Sequence, residues 1–190
     1  GDMIGELNIY SCYSFQNSTI LIKDLCKRAH DLHLEAIALT DINNMYGAVE
    51  FSNECHKYGI KPIFGMQGNV NVEGEIYPFL LLAKDQVGYH DLMKICSDIN
   101  LSDQKAIDLE KLRLYHEHLF ILSGCKEGIV ERCVLKELES EALRYMALFK
   151  EMFKDNYYIC LQDHGIQMQK HLNERLKALA KLQGIRVCAS

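Results

Sequence analysis

The 190-residue chain has no tryptophan and only two prolines, Pro62 and Pro78. It therefore contains no polyproline tract and no proline-rich linker. No apolar run approaches the length of a membrane span, and the first residues lack a signal-peptide pattern. Positive charge is short as well. The 21 Lys and Arg stand against 26 Asp and Glu, a net charge of -5, which excludes an overall basic field for nonspecific nucleic-acid binding. The basic residues are scattered, without a local patch. Neither GxGxxG nor GxxxxGK[ST] occurs, so no Gly-rich phosphate loop follows a strand. There is no low-complexity tract and no fixed-period repeat. The eight cysteines include no CxxC pair, which removes the commonest zinc and thioredoxin-like signatures.

What is present is the composition of an ordinary globular protein, 48% hydrophobic and 25% charged. The length suits one substantial domain or a piece of a larger protein. The cysteines fall inside apolar periodic segments, so we expect small buried thiols and a reducing, cytoplasmic setting with no membrane contact. Gly1-Asp2 before Met3 reads as an appended remnant, with the domain itself running over 4–190.

Strand and helix signals alternate along the chain. Period-2 alternation predicts a first strand over Ile4–Tyr10, with Leu7 and Ile9 on one side and Glu6, Asn8 and Tyr10 on the other. Helical spacing of Ile22, Leu25, Cys26, Ala29 and Leu32 predicts a helix over Thr19–Leu32, capped by Ser18. A short strand, Glu35–Thr40, precedes a helix over Gly47–Tyr58 that Gly59 ends. Ile60–Phe64 is a strand. Asn69–Val72 and Glu75–Ala83 form a hairpin around Glu73-Gly74. Helices follow over Asp85–Ile99 and Asp108–Arg113, then a strand over His118–Ser123. Helices Ile129–Leu135 and Ser140–Phe153, strand Tyr157–Leu161, helix Gln167–Gln183 and strand Ile185–Ala189 complete the pattern. This alternation predicts βαβ units, a mostly parallel sheet, and an α/β barrel in preference to a nucleotide-binding doubly wound fold. The chain stops on a strand, so we expect a barrel truncated before its C-terminal end.

In a barrel, chemistry sits at the C-terminal ends of the strands. Those ends offer Thr40-Asp41-Ile42-Asn43-Asn44 and Gln162-Asp163-His164-Gly165, besides the polar face of the first strand. A hydrolytic metal centre needs several imidazoles and carboxylates converging on one point. Only His164 lies at a strand end. His30 and His33 read as a polar helix face near its C-terminus, where cationic side chains suit the dipole. His116 and His118 form an HxH, but at the start of a strand, the stability end of a barrel. Cys125 with His164 would need a demonstrated pairing to act as a nucleophile. Asp41 with Asp163 could serve acid-base chemistry, but Asp followed by Asn-Asn is also a common loop-bonding arrangement.

Six stretches in this order, "LNIYSCYS", "ALTDINNMYGAVEF", "GIKPIFGMQ", "LLLAKDQVGYHDLMKI", "LFILSGCKEG" and "YYICLQDHG", resemble the PHP (polymerase and histidinol phosphatase) domain at the N-terminus of bacterial DNA polymerase III alpha subunits. The resemblance runs from Ile4 to Ser190. It implies a distorted (β/α)7 barrel whose relatives hold zinc, manganese or magnesium ions at the strand C-terminal ends. In metal-binding members the first strand reads H-x-H-x-H, and those places are Glu6, Asn8 and Tyr10 here. The acidic residue of the following turn is Asn17. The histidine of a T-D-H-G-N loop is Ile42, beside a retained Asp41. The glutamate after "KPIIG" is Gln67, and the histidine opening the "LLLLAK" strand is Pro78. Only the histidine of "QxHG" survives, as His164.

The resemblance therefore implies a degenerate metal site, with no catalytic residue and no metal ligand set of its own. Ile42 and Pro78 supply no ligand, Asn8 and Gln67 are neutral oxygens, and Tyr10 would have to lose a proton near pH 10. One carboxylate and one imidazole do not assemble a centre in which bridging metals activate water. Two occupants of the old site remain open, a hydrogen-bonded network of Glu6, Asn8, Tyr10, Gln67 and His164, or a solvated cleft. The implied function is a noncatalytic domain of a DNA-replicating polymerase, whose nucleotidyl-transfer machinery would lie elsewhere. It would brace the rest of the alpha subunit and dock a proofreading exonuclease, with DNA contacted only through the full-length protein. The alternative is a metal-dependent phosphoesterase or 3'-5' exonuclease with unusual ligands.

Overall fold

The computed structural model describes residues 9–10, 26–27, 30–31, 36–39, 45–123, 128–161 and 167–189. Their strands are β1 (Ile9–Tyr10), β2 (Ala36–Leu39), β3 (Lys61–Val72), β4 (Glu75–Ala83), β5 (Ile107–Asp108), β6 (Leu119–Ser123), β7 (Tyr157–Leu161) and β8 (Arg186–Ala189). The helices are α1 (Met45–Lys57), α2 (Gln86–Leu101), α3 (Leu109–Leu112), α4 (Ile129–Leu135), α5 (Glu139–Phe153) and α6 (Gln167–Gln183). Of the helix expected over Thr19–Leu32, Cys26–Lys27 and His30–Asp31 are described, and all four are helical.

The helix ends follow local chemistry. Asp85, in extended conformation, caps α2 by accepting the Gly88 N–H through its side chain. Gly59 follows α1 at φ 66°, and the Ile60 N–H reaches back to Cys55 C=O at 2.9 Å. This closure needs a left-handed residue, which glycine adopts without a Cβ penalty. In α5, Glu139 and Glu141 occupy the first turn, where negative charge suits the dipole.

The strands form one sheet in the order β1-β2-β3-β4-β6-β7-β8, with β5 also paired to β3. Pairing is parallel except on the two flanks of β4, which runs antiparallel to β3 and to β6. The reason is local. A two-residue turn joins β3 to β4 without a crossover helix, so β4 must run back, and β6 then restores the first direction. The sheet is thus a mixed one, with the strand order of a barrel laid open between β1 and β8. No pairing joins those two strands among the described residues.

One difference from the sequence reading concerns β3. A strand over Ile60–Phe64 and a separate hairpin arm from Asn69 were expected. The structure runs them together across Gly65 and Gly68. Two partners make this long strand worthwhile: β2 pairs Lys61–Phe64, and β4 pairs Gly65–Val72. The two-residue β5 was not anticipated. It adds to β3 at Val70 and Asn71, where pairing instead of periodicity defines it.

Alternation along the strands divides the core in two. Ile63, Leu80, Leu82, Phe120, Leu122, Tyr158, Cys160 and Cys188 make a compact inner cluster. The intervening residues, among them Met66, Phe79, Leu81, Leu119, Ile121, Tyr157 and Ile159, join a larger cluster with α2, α4, α5 and α6. A sheet buried on both faces explains runs such as Phe79–Leu82, which read as continuously apolar.

Candidate functional site

The hairpin sets the register of the positions singled out by the sequence. Glu73 and Gly74 form its turn, with φ of 54° and 88°, the conformation that a tight antiparallel connection requires. Asn71 Oδ1 accepts the Gly74 N–H at 3.0 Å. From this turn the register places Asn69 opposite Pro78 and Gln67 opposite Leu80. Leu80 in turn lies opposite Leu122 of β6. Gln67 and Pro78 therefore stand on the inner face as diagonal neighbours, Gln67 midway along β3 and level with Leu122 near the end of β6. Both are exposed.

Their chemistry does not fit a divalent metal. Gln67 offers a neutral amide, and Pro78 offers no side-chain donor, where a metal centre wants carboxylates or imidazoles. Pro78 has a structural fit instead. β4 pairs with β6 only from Leu80 to Ala83, so one flank at Pro78 has no described strand partner, the setting in which a strand tolerates proline.

Among the other candidate positions, Tyr10 lies in β1, where the backbone register sets it beside Ile37 of β2. Glu6, Asn8, Asn17, Asp41, Ile42 and His164 lie outside the described residues, as do His33, Cys125 and Asp163. Among the described residues, no group of three or more His, Cys, Asp or Glu is placed to hold a metal ion.

The HxH pair fastens secondary structure. His118 Nδ1 lies 2.8 Å from Asp85 Oδ2, while Asp85 Oδ1 accepts the Gly88 N–H at 2.9 Å. One carboxylate thus caps α2 and ties it to the start of β6. The hydrogen bond to Asp85 raises the His118 pKa above its ordinary value. Partial burial pushes the Asp85 carboxyl up, but the Gly88 amide and His118 outweigh it, and the net shift is downward. His116 Nδ1 lies 3.1 Å from Arg113 C=O, and its own carbonyl accepts from Asn156 at 2.9 Å. A cavity of about 410 Å³ opens nearby, at the start of β3, lined by Lys61, Phe64, Lys84, Asp85 and Tyr89. Two of its charged groups are committed elsewhere, Asp85 as above and Lys84 to Asn156 Oδ1 at 3.0 Å.

Sequence reasoning passed over Glu131, in the first turn of α4. It is 4% exposed, and neither carboxylate oxygen has a hydrogen-bond partner among the described residues. Burial pushes its pKa up to about 7, against the pull of its own backbone N–H, and Cys160 adds to the rise. The signal was available: an acid inside "GIVERCV", a segment otherwise apolar on its core side. The hairpin tip is also anchored in a way the sequence does not reveal. Glu73 takes a two-pronged grip from Arg144 of α5, at 2.7 and 3.0 Å.

Comparison with known proteins bears on this geometry. The family described as PHP domain matches residues 6–164. The chain is 32% identical over 199 residues to DNA polymerase III subunit alpha of Borreliella burgdorferi, covering 97% of this chain and 17% of that protein. Its identity to the Bacillus subtilis subunit of the same name is also 32%, over 190 residues, again 97% of this chain and 17% of the relative. The chain thus spans about a sixth of the length of these relatives. A solved structure whose name proposes a metal-dependent phosphoesterase, from Bifidobacterium adolescentis, superposes with a TM-score of 0.46 at 11% identity, covering 97% of this chain and 85% of that one. That likeness is too slight to bear on the site.

Proposed function

The chain belongs to the PHP domain family, and on that premise we propose that it is a noncatalytic domain of a bacterial replicative DNA polymerase alpha subunit, with a degenerate metal site. The single observation that carries this reading is the chemistry on the inner face beside the end of β6. Gln67 and Pro78 stand together on the inner face, where metal-binding relatives place a glutamate and a histidine, and neither supplies an ionisable ligand. The substitutions at Glu6, Asn8, Tyr10, Asn17 and Ile42 point the same way, leaving His164 as the retained imidazole.

The exposure of Gln67 and Pro78 favours a solvated cleft over a buried hydrogen-bonded network in the old site. In this reading the domain contributes a framework. It braces the remainder of the alpha subunit and offers a surface on which a proofreading exonuclease docks. DNA is met only through the full-length polymerase.

Metal analysis of the purified protein, joined to a phosphodiesterase assay with manganese and with zinc, tests the loss of catalysis. We expect no stoichiometric metal and no turnover. Bound metal together with turnover abolished by His164→Ala would establish the phosphoesterase alternative. Docking is tested separately, by co-purification of the full-length alpha subunit with the exonuclease of the same organism.

A further inference from the structure

The fold brings two of the eight cysteines into direct contact. Cys26 and Cys55 are 29 positions apart in the sequence, yet their sulfurs are 3.8 Å apart, and both side chains are fully buried. Cys26 comes from the helical residues before β2, and Cys55 from the last turn of α1. Two thiols at this separation share a hydrogen bond. The hydrogen bond with Cys55 draws the Cys26 pKa down, against burial and the nearby Glu54 carboxylate. The same hydrogen bond and burial raise Cys55, although either sulfur can be the donor. The two sulfurs thus share one proton between them, with Cys26 shifted toward the thiolate and Cys55 away from it.

We propose that Cys26 and Cys55 form a reversible two-electron redox pair that closes to a disulfide, with hydrogen peroxide as the oxidant. The Cys26 thiolate attacks one peroxide oxygen. The O–O bond breaks, Cys26 becomes a sulfenic acid, and hydroxide leaves. The Cys55 sulfur then attacks the Cys26 sulfur. The new S–S bond forms, the S–O bond breaks, and the oxygen departs as water with the Cys55 proton; the hydroxide takes up a proton from solvent. Two thiols and one peroxide thus give one disulfide and two waters. A disulfide needs its sulfurs about 2 Å apart, so the pair must close by roughly the same distance again. Cys55 sits in the last turn of α1, so closure displaces one helix end and not a helix interior. Full burial selects the reagent, because peroxide is small enough to enter with little opening, whereas a peptide disulfide is not. The immediate second thiol protects Cys26 from further oxidation to the irreversible sulfinic acid.

The intact chain, treated with equimolar hydrogen peroxide and alkylated in denaturant, gives the answer by peptide mapping. Lys27 and Arg28 lie between the two cysteines, so trypsin separates them unless they are cross-linked. We expect a Cys26–Cys55 linked peptide, two fewer titratable thiols, and full recovery with dithiothreitol. In Cys55→Ser, dimedone should trap a sulfenic acid at Cys26. Cys96 and Cys133 are more exposed, so attack governed by access alone would reach them first. Oxidation at Cys96 and Cys133 with Cys26 and Cys55 recovered as free thiols overturns the proposal. So does sulfinic acid at Cys26 without a cross-link. The wild-type map decides by itself if Cys55→Ser fails to fold.

Discussion

Glu131→Gln should stabilise the protein at pH 8 by more than it does at pH 5, and the difference has a calculable size. The carboxyl of Glu131 is fully desolvated in the folded chain and ionises near pH 7 instead of near 4.5. The shift is opposite in sign to that of a salt-bridged acid. Below pH 4.5 both folded and unfolded chains carry the proton, and the group contributes nothing to pH dependence. Between about 4.5 and 7 the unfolded chain releases the proton while the folded chain holds it. Stability therefore falls as pH rises through that window and levels off above it. A rise from near 4.5 to about 7 corresponds to roughly 3 kcal/mol at full development. Glutamine keeps the shape and cannot ionise, so the variant escapes the loss. Its own unpaired amide adds a constant that does not change with pH. The quantity to follow is the stability of Glu131→Gln minus that of wild type, from urea unfolding monitored by circular dichroism between pH 5 and pH 8. It should grow by about 2–3 kcal/mol across that range, which for a chain of this length means a melting-point gap wider by roughly 5–10 °C. A difference that stays flat would refute the reasoning, since it would mean that Glu131 ionises normally and has a charged or solvated partner.

Two further outcomes follow from named contacts, and a third from the proposed cleft. A Cβ at Gly88 would lie 2.1 Å from the His118 carbonyl oxygen, and backbone cannot yield as a side chain does. Gly88→Ala should therefore cost at least about 1–3 kcal/mol in chemical denaturation, and wild-type stability would contradict the close approach of α2 to β6. The His118 imidazole should titrate by NMR above its ordinary pKa, and Asp85→Asn should return it downward; an unchanged midpoint would break the assigned pair. The solvated-cleft reading makes Glu6→Ala nearly neutral, within about 0.5 kcal/mol as for exposed sites, whereas a larger loss would argue for a buried network.

The sequence was most informative where periodicity and punctuation agreed. Ile129–Leu135, Tyr157–Leu161 and Gln167–Gln183 have the bounds their patterns predict. Gly59 stops α1 and Asp85 starts α2, because each residue acts on backbone groups beside it. Pairing was harder to read. Nothing local in Gly65 or Gly68 announces that β3 continues through them, since the reason lies in β2 and β4. The same holds for β5, which exists only against Val70 and Asn71. The resemblance matched Gln67 and Pro78 each to a separate family position, and the β3–β4 register makes the two diagonal neighbours on one face. Glu131 was missed because its polarity looks harmless in sequence. Its cost comes from burial, which no single residue type specifies.

The position of β4 has a consequence for how the domain comes apart. It is the one strand that opposes its neighbours, and through Leu80, Leu81 and Leu82 it joins the parallel block β1–β3 to the parallel block β6–β8. These leucines are completely buried and divide between the two core clusters. Neither block can peel away without uncovering them on one side. β4 thus acts as a shared keystone, coupling two halves that their covalent connections alone would leave independent. Loosening at either end of the sheet is felt at the other through this strand, and the amide hydrogens of Leu80–Leu82 should be among the last to exchange with solvent.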